Sequence, residues 1–116
     1  NVRKPLIFKL NVPSTARANE EISVELHLQT QYRECFVVQG YLVSSVQIGG
    51  GFDYLQTRCV CIDSPITFYW DFEVPKTVMF TIVVDIIKKK GICPNDVAVV
   101  PITGDRYYTE HTVYVI

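Results

Sequence analysis

The segment "EISVELHLQT" (residues 21–30) decides how the rest of the chain is interpreted, because its residues alternate between polar and apolar. The apolar positions are Ile22, Val24, Leu26 and Leu28, and the polar positions between them are Ser23, Glu25, His27 and Gln29. Successive side chains of a β-strand point to opposite faces of a sheet, so this pattern predicts a half-buried strand.

Comparable segments follow one another along the chain, separated by turn residues. They are rich in β-branched and aromatic residues, and none carries the apolar stripe of a helix. The sequence predicts further strands within residues 6–12, 34–48, 52–62, 66–74, 77–87, 96–102 and 107–116. Glycines 49–51 and the segment Asp63-Ser64-Pro65 are predicted turns. Gly40, inside a predicted strand, indicates a bulge or a close approach of the backbone to a neighbour.

Seven or eight short strands at regular spacing predict an all-β fold, an antiparallel β-sandwich of immunoglobulin type. The chain has 116 residues and contains no repeat, linker or low-complexity segment, so we expect a single domain over residues 1–116. Trp70, within "FYWDF", is the predicted core anchor between the two sheets.

Charge and hydropathy argue against several classes of partner. The formal net charge is −1 and the sequence pI is about 6.1, so no strong field attracts nucleic acid or an anionic membrane. No apolar segment approaches the roughly 18 residues of a transmembrane helix. The sequence shows no charged-then-apolar leader, so we expect a cytosolic chain or one already processed. The run of lysines 88–90 is interpreted as a solvated strand end.

The four cysteines decide between a cytosolic chain and a processed, secreted one. The Cys59-x-Cys61 spacing in "RCVCID" (58–63) lacks the Cys-x-x-Cys knuckle of structural zinc sites and of thioredoxin-type redox centres. We therefore predict two disulfides, no metal site and a secreted protein. A Cys59–Cys61 bond within one strand would be strained. Two pairings remain open, namely Cys35–Cys59 with Cys61–Cys93, or Cys35–Cys61 with Cys59–Cys93.

The residues carry no recognisable catalytic or cofactor motif. Glycines 49–51 are not followed by the Lys-Ser/Thr of a phosphate loop. His27 and His111 have no paired ligand spacing. The segment Asp63-Ser64-Pro65 has proline where aspartic protease loops have glycine, and it has no second copy to supply the other carboxylate. We expect no cofactor.

Several segments together resemble one protein family along nearly the whole chain. They are "ECFVV" (34–38), "YLVSS" (41–45), "CVCID" (59–63), "TFYWDF" (67–72), "GICPND" (91–96) and "VVPI" (99–102). With the spacing of the four cysteines around "FYWDF", they are similar to the family of prolactin-inducible protein, or gross cystic disease fluid protein, which includes the seminal vesicle autoantigen.

The resemblance implies a small secreted, extracellular protein of exocrine fluids such as saliva and seminal plasma, with an immunoglobulin-like sandwich. It implies the disulfide pairing Cys35–Cys61 and Cys59–Cys93. It also implies a protein-binding role in mucosal immunity and reproduction. The implied partners are immunoglobulin Fc, zinc-α2-glycoprotein, the T-cell co-receptor, actin, fibrinogen, and bacterial or sperm surfaces.

Two features depart from the family pattern. No Asn-x-Ser/Thr sequon occurs, so we expect no N-linked glycosylation. The family's aspartic-type protease activity toward fibronectin is attributed to an Asp in the segment that reads "RANEE" here. That position is Glu20, a carboxylate at a strand start with no partner in the sequence to share a proton. Glu20 is therefore a weak catalytic candidate, and we expect a binding protein rather than an enzyme.

A sheet edge is the predicted binding surface, because its unpaired N–H and C=O groups can accept a strand of another protein. The segment 77–87 is too apolar for an unguarded edge and is predicted to be central. The first and last strands are the better edge candidates. Two alternatives belong to other classes: a weak endopeptidase needs a carboxylate pair in a cleft, and a phospholipid head-group binder on the sperm membrane needs an aromatic-lined pocket.

Overall fold

Eight β-strands form two sheets that pack face to face in the computed structural model, which describes residues 3–44, 46–101 and 105–116. The strands are β1 (Ile7–Asn11), β2 (Thr15–Ala16), β3 (Glu20–Gln29), β4 (Phe36–Ser44), β5 (Gln56–Val60), β6 (Ile66–Val74), β7 (Val78–Ile87) and β8 (Arg106–Val115). One sheet has the order β1-β3-β6 and the other β2-β8-β7-β4-β5. All neighbours are antiparallel except the short pair β2–β8. The predicted all-β sandwich is confirmed.

The core lies between the two sheets and follows the alternation seen in the sequence. In β3, Val24 and Leu26 are fully buried and pair with Trp70 and Phe68 of β6. The Trp70 side chain is 1% exposed, and its indole N–H donates a hydrogen bond to the backbone oxygen of Tyr54 at 2.7 Å. The indole thus fills the core while its one polar atom is satisfied.

Gly40 marks a close approach rather than a bulge. The pairing of β4 with β7 runs through Gly40 without interruption, and the pairing of β4 with β5 reaches as far as Gly40. A Cβ atom at this position would lie 2.9 Å from the Phe68 ring and 3.3 Å from the Trp70 ring. The glycine therefore makes room for the two aromatic side chains of the facing sheet.

The predicted strand over residues 96–102 is wrong. A 3-10 helix covers Pro94–Asp96, and residues 97–101 belong to no strand, while Ile102 lies outside the described residues. The Cys59–Cys93 disulfide ties this segment to β5, and Val99 N–H donates to the Cys35 oxygen at 3.0 Å. The β-branched composition misled the prediction, because the segment is held by this disulfide and this hydrogen bond rather than by strand pairing.

The beginning of the predicted strand 52–62 is also wrong. Gly50–Asp53 form a 3-10 helix, and β5 starts only at Gln56. The turn inserts Phe52 into the core, where its ring contacts the rings of Phe72 and Phe80 with centroids 5.0 and 6.0 Å away. Gly51 permits this because a Cβ there would collide with the backbone oxygen of Asp71. Packing of one aromatic ring therefore overrides the strand propensity of its neighbours.

Candidate functional site

The edges of the two sheets are the surfaces that strand pairing leaves open. Strand β7 lies between β4 and β8, so the prediction that 77–87 is central is confirmed. The first strand, β1, is an edge of its sheet. The last long strand, β8, is covered by β2 only at Tyr114 and Val115. The open parts of β1 and β8 lie on the same side of the sandwich, where the Phe8 and Tyr107 rings are 5.7 Å apart. We call this the β1–β8 side.

The opposite side of the sandwich, formed by β5 and β6, is already occupied by side chains. Gln56 Nε2 donates to the backbone oxygen of Tyr69 at 2.7 Å. Arg58 Nη1 donates to the backbone oxygen of Thr67 at 2.7 Å. These β5 side chains satisfy carbonyl groups along β6, which makes that edge a poorer template for a partner strand.

The backbone groups of β8 that face away from β7 can be identified from its neighbours. Tyr114 N–H donates to the Ser14 oxygen at 2.8 Å, and Ile116 N–H donates to the Ala16 oxygen at 2.9 Å, both toward β2. Since hydrogen-bonding direction alternates along a strand, the even-numbered residues from Arg106 to Thr112 also direct their N–H and C=O away from β7. The β7–β8 pairing is continuous, so no bulge changes this parity.

The outer face beside this edge combines aromatic residues with one ion pair. A row across β4, β7 and β8 consists of Tyr41, Val83 and Tyr108. The Tyr108 side chain is 69% exposed. Next to the row, Arg106 donates two hydrogen bonds to Asp85, at 2.7 and 3.1 Å. Hydrogen bonding and charge attraction from Asp85 raise the pKa of Arg106 further above its ordinary value.

The disulfides join Cys35 to Cys61 and Cys59 to Cys93, which is the pairing that the family resemblance implies. The Cys59 and Cys61 sulfurs lie 3.7 Å apart, with the Cys35 sulfur close by. Because every one of these sulfurs is in a disulfide, none is a thiolate available to a metal in this state. The two disulfides covalently attach the end of β5 to Cys35 and Cys93.

Glu20 stands at the exposed first position of β3, opposite Val74. Its carboxylate accepts a long hydrogen bond from the Arg17 backbone N–H at 3.4 Å. Glu20 does not line the neighbouring groove of about 450 Å³. The structure thus places this catalytic candidate at the start of β3, directly after a turn, where its carboxylate contacts an amide rather than a second carboxylate.

The groove beside Glu20 brings together carboxylates that the sequence analysis missed. Glu21 and Glu73 are directly paired across β3 and β6, and Asp71 accepts a hydrogen bond from Ser23. The three acids lie in the groove with Asn19 and glycines 49–51. The sequence alternation of each strand predicts that these acids point outward. It does not predict the register between the strands, which brings the acids together.

A smaller cavity of about 260 Å³ opens at the other end of the same sheet. A row across the three strands of this sheet consists of Lys9, His27 and Thr67. The His27 Nδ1 atom lies 2.8 Å from Thr67 Oγ1. The described lining contains no Trp, Tyr or Phe, the side chains whose faces recognise a quaternary ammonium head group. This cavity does not match the pocket that the lipid-binding alternative requires.

The remaining candidates are His111, which lies on β8, and the lysine run after β7. His111 Nε2 lies 3.2 Å from the backbone oxygen of Pro13. Lysines 88–90 are exposed where β7 ends. Across the described part of the chain, no helix is long and apolar enough to cross a membrane.

Comparison with known proteins identifies relatives of the whole chain. A sequence model of the seminal vesicle autoantigen family matches residues 1–96. The chain is 59% identical to a prolactin-inducible protein homolog of Rattus norvegicus over 98% of this chain and 78% of the relative. It is 47% identical to the prolactin-inducible protein of Homo sapiens over 94% of this chain and 75% of the relative.

Solved structures show the same fold. A chain in the crystal structure of the complex between zinc 2-glycoprotein and prolactin inducible protein from human seminal plasma matches with a TM-score of 0.95 and 42% identity. The match covers 99% of this chain and 97% of that chain. A CARDB domain of Pyrococcus furiosus matches with a TM-score of 0.59 and 11% identity, over 98% of this chain and 96% of that one, which is a likeness of fold alone. The chain therefore belongs to the family of prolactin-inducible protein and the seminal vesicle autoantigen.

Proposed function

We propose that this chain is a secreted, single-domain protein-binding module whose partners include a zinc-α2-glycoprotein. The observation that supports this most strongly is the solved complex of a relative with that protein, since the matched chain superimposes with a TM-score of 0.95. Two disulfides are typical of a small extracellular domain. Immunoglobulin Fc, the T-cell co-receptor, actin, fibrinogen and bacterial or sperm surfaces are further partners that the family resemblance suggests.

The surface proposed for docking is the β1–β8 side. Its two edge strands offer backbone donors and acceptors, and the exposed Tyr108 and Arg106 lie beside them. Tyrosine and arginine are among the residue types enriched at the positions that dominate binding energy at protein interfaces. The β5–β6 side is the weaker candidate because Gln56 and Arg58 already occupy β6 carbonyl groups.

Isothermal titration of the oxidised chain with zinc-α2-glycoprotein tests this proposal. We expect saturable binding with one site for each chain. Tyr108→Asp should weaken the binding at least tenfold, because it places a charge at the proposed interface. Tyr69→Asp is the matched control, since Tyr69 is an exposed strand tyrosine on the outer face of the other sheet. Absence of binding, or equal loss with both variants, would contradict the proposed surface.

The endopeptidase alternative needs its own test, because the Glu21–Glu73 pair lies in a groove that Glu20 does not line. We expect that fibronectin stays intact at pH 4 and at pH 7 with the purified chain, and that Glu20→Gln and Glu73→Gln change nothing. Cleavage with an acidic optimum that disappears in Glu20→Gln would support the alternative. Cleavage that disappears only in Glu73→Gln would assign it to the groove.

A further inference from the structure

The free edge of β8 carries a charge pattern that is complementary to itself. Its outward-facing residues from the start of the strand are Arg106, Tyr108 and Glu110, with opposite charges at equal distances from the tyrosine. The strand is long, and among the described residues only β2 pairs with its outer side, at Tyr114 and Val115. Long open edges tend to pair with other chains unless their side chains prevent it.

From this pattern we propose that two copies of the chain associate through antiparallel pairing of their β8 strands around a two-fold axis at Tyr108. In that register Tyr108 faces Tyr108 of the second copy. Arg106 of each copy faces Glu110 of the other, so the contact occurs twice. The interface is isologous, as a closed dimer requires. This self-association goes beyond the proposed function, because it requires no other protein.

The backbone parity of β8 fits this register. The N–H and C=O groups of the even-numbered residues face the open edge, as shown by the bonds that Tyr114 and Ile116 make to β2. On the opposite side, Asp105 C=O accepts from Ile86 N–H at 2.7 Å, so the odd-numbered positions face β7. Residue 108 can then exchange N–H and C=O hydrogen bonds with residue 108 of the second copy. Residue 106 of each copy can do the same with residue 110 of the other.

The side chains also select this register over its neighbours. A shift of the axis to Glu110 would place two glutamates opposite each other, and a shift to Arg106 would place two arginines together. Like charges directly opposite each other in antiparallel strands are unfavourable, whereas opposite charges and aromatic pairs are favourable. Arg106 uses Nε and Nη2 for Asp85, which leaves Nη1 to meet Glu110 of the second copy.

Sedimentation velocity of the oxidised full chain, over a concentration series at low salt, tests the dimer. We expect a reversible rise from the 13.3 kDa chain to twice that mass. Glu110→Arg should raise the dimer dissociation constant about tenfold or more, because it turns both Arg106–Glu110 contacts into repulsions. The matched control is Glu73→Arg, which makes the same charge change on the other sheet and should leave the dissociation constant unchanged.

A charge-swap mixture tests the register itself. Arg106→Glu alone should weaken the dimer as Glu110→Arg does, but a mixture of the two variants should restore it, since both contacts then join opposite charges. Circular dichroism checks that Arg106→Glu folds without its bonds to Asp85; if it does not, the comparison of Glu110→Arg with Glu73→Arg decides. A chain that stays monomeric at millimolar concentration, or equal effects of those two variants, would overturn the proposal whether or not zinc-α2-glycoprotein binds.

Discussion

At the scale of single residues, contacts across the sandwich explain features that the local sequence leaves ambiguous. Gly40 is the clearest case, because the sequence allowed either a bulge or a close approach. The structure shows an unbroken strand with the Phe68 and Trp70 rings above the glycine. The reason lies in residues about 30 positions away in the other sheet, so it cannot be read from the segment around Gly40.

Gly40→Ala should therefore destabilise the fold by about 1–3 kcal/mol, because the added methyl group overpacks the core against two rings. Gly49→Ala is the matched control, since a Cβ there has no neighbour within 4 Å. Urea unfolding followed by tryptophan fluorescence measures both. Equal stability of the two variants would contradict this account of the core.

Tyr107 should give the fold a dependence on alkaline pH. Burial, followed by the charges of Tyr32 and Asp105, raises the pKa of Tyr107 above its ordinary value near 10. Because the Tyr107 pKa is higher in the folded state than in the unfolded state, the protonated hydroxyl stabilises the fold. This stabilisation is complete below the pKa of the unfolded state and is lost as the pH rises through the pKa of the folded state.

Above about pH 10, the wild-type chain should thus lose stability more steeply than Tyr107→Phe, which keeps the aromatic contact with Phe8. Thermal unfolding between pH 8 and pH 11 measures the difference. Tyr114→Phe, which removes a hydroxyl from an exposed ring on the same strand, should retain the wild-type profile. Parallel profiles for wild type and Tyr107→Phe would count against the assignment.

At the scale of elements, alternation predicted the strands that face both water and the core. Strands β3, β6 and β8 lie close to their predicted positions, and in β3 and β6 one face is apolar. The segment 97–101 was mispredicted because its position depends on a disulfide and not on its own periodicity. The last strand was predicted to be an edge, but the register between strands was not predictable. The acidic groove beside Glu20 and the alignment of Tyr108 with Val83 therefore appeared only in the structure.

The Cys59–Cys93 bond should hold the segment after β7 against the outer face of β4 and β5. Val37 shares that face with its partner Cys59, and Val37 is 1% exposed although it points away from the core. Removing the bond in Cys59→Ala/Cys93→Ala should cost about 3–4 kcal/mol, from closure of a loop of 34 residues.

Limited proteolysis of the same variant should cleave first between residues 88 and 101. The matched control is Cys35→Ala/Cys61→Ala, which should lose about as much stability, because its loop spans 26 residues, but should keep that segment protected. First cleavage at the same place in both variants would contradict the specific role of Cys59–Cys93.

At the scale of the whole molecule, the two sides of the sandwich are unequal. On one side, β5 side chains satisfy β6 carbonyl groups, and two disulfides fasten β5. On the other, β1 and most of β8 present open edges beside exposed tyrosine and arginine side chains. The solved complex of a relative supports a protein partner, and this asymmetry is the reason for proposing the β1–β8 side as the docking surface.

Hydrogen–deuterium exchange of the oxidised chain, alone and with zinc-α2-glycoprotein, tests that docking most directly. It should be run at a concentration where sedimentation shows a monomer, so that pairing between copies does not protect β8. We predict slower exchange in residues 7–11 and 106–112 when the partner is present, with residues 56–60 and 66–74 unchanged. Protection confined to β5 and β6, or no protection at any position, would contradict binding through the β1–β8 side.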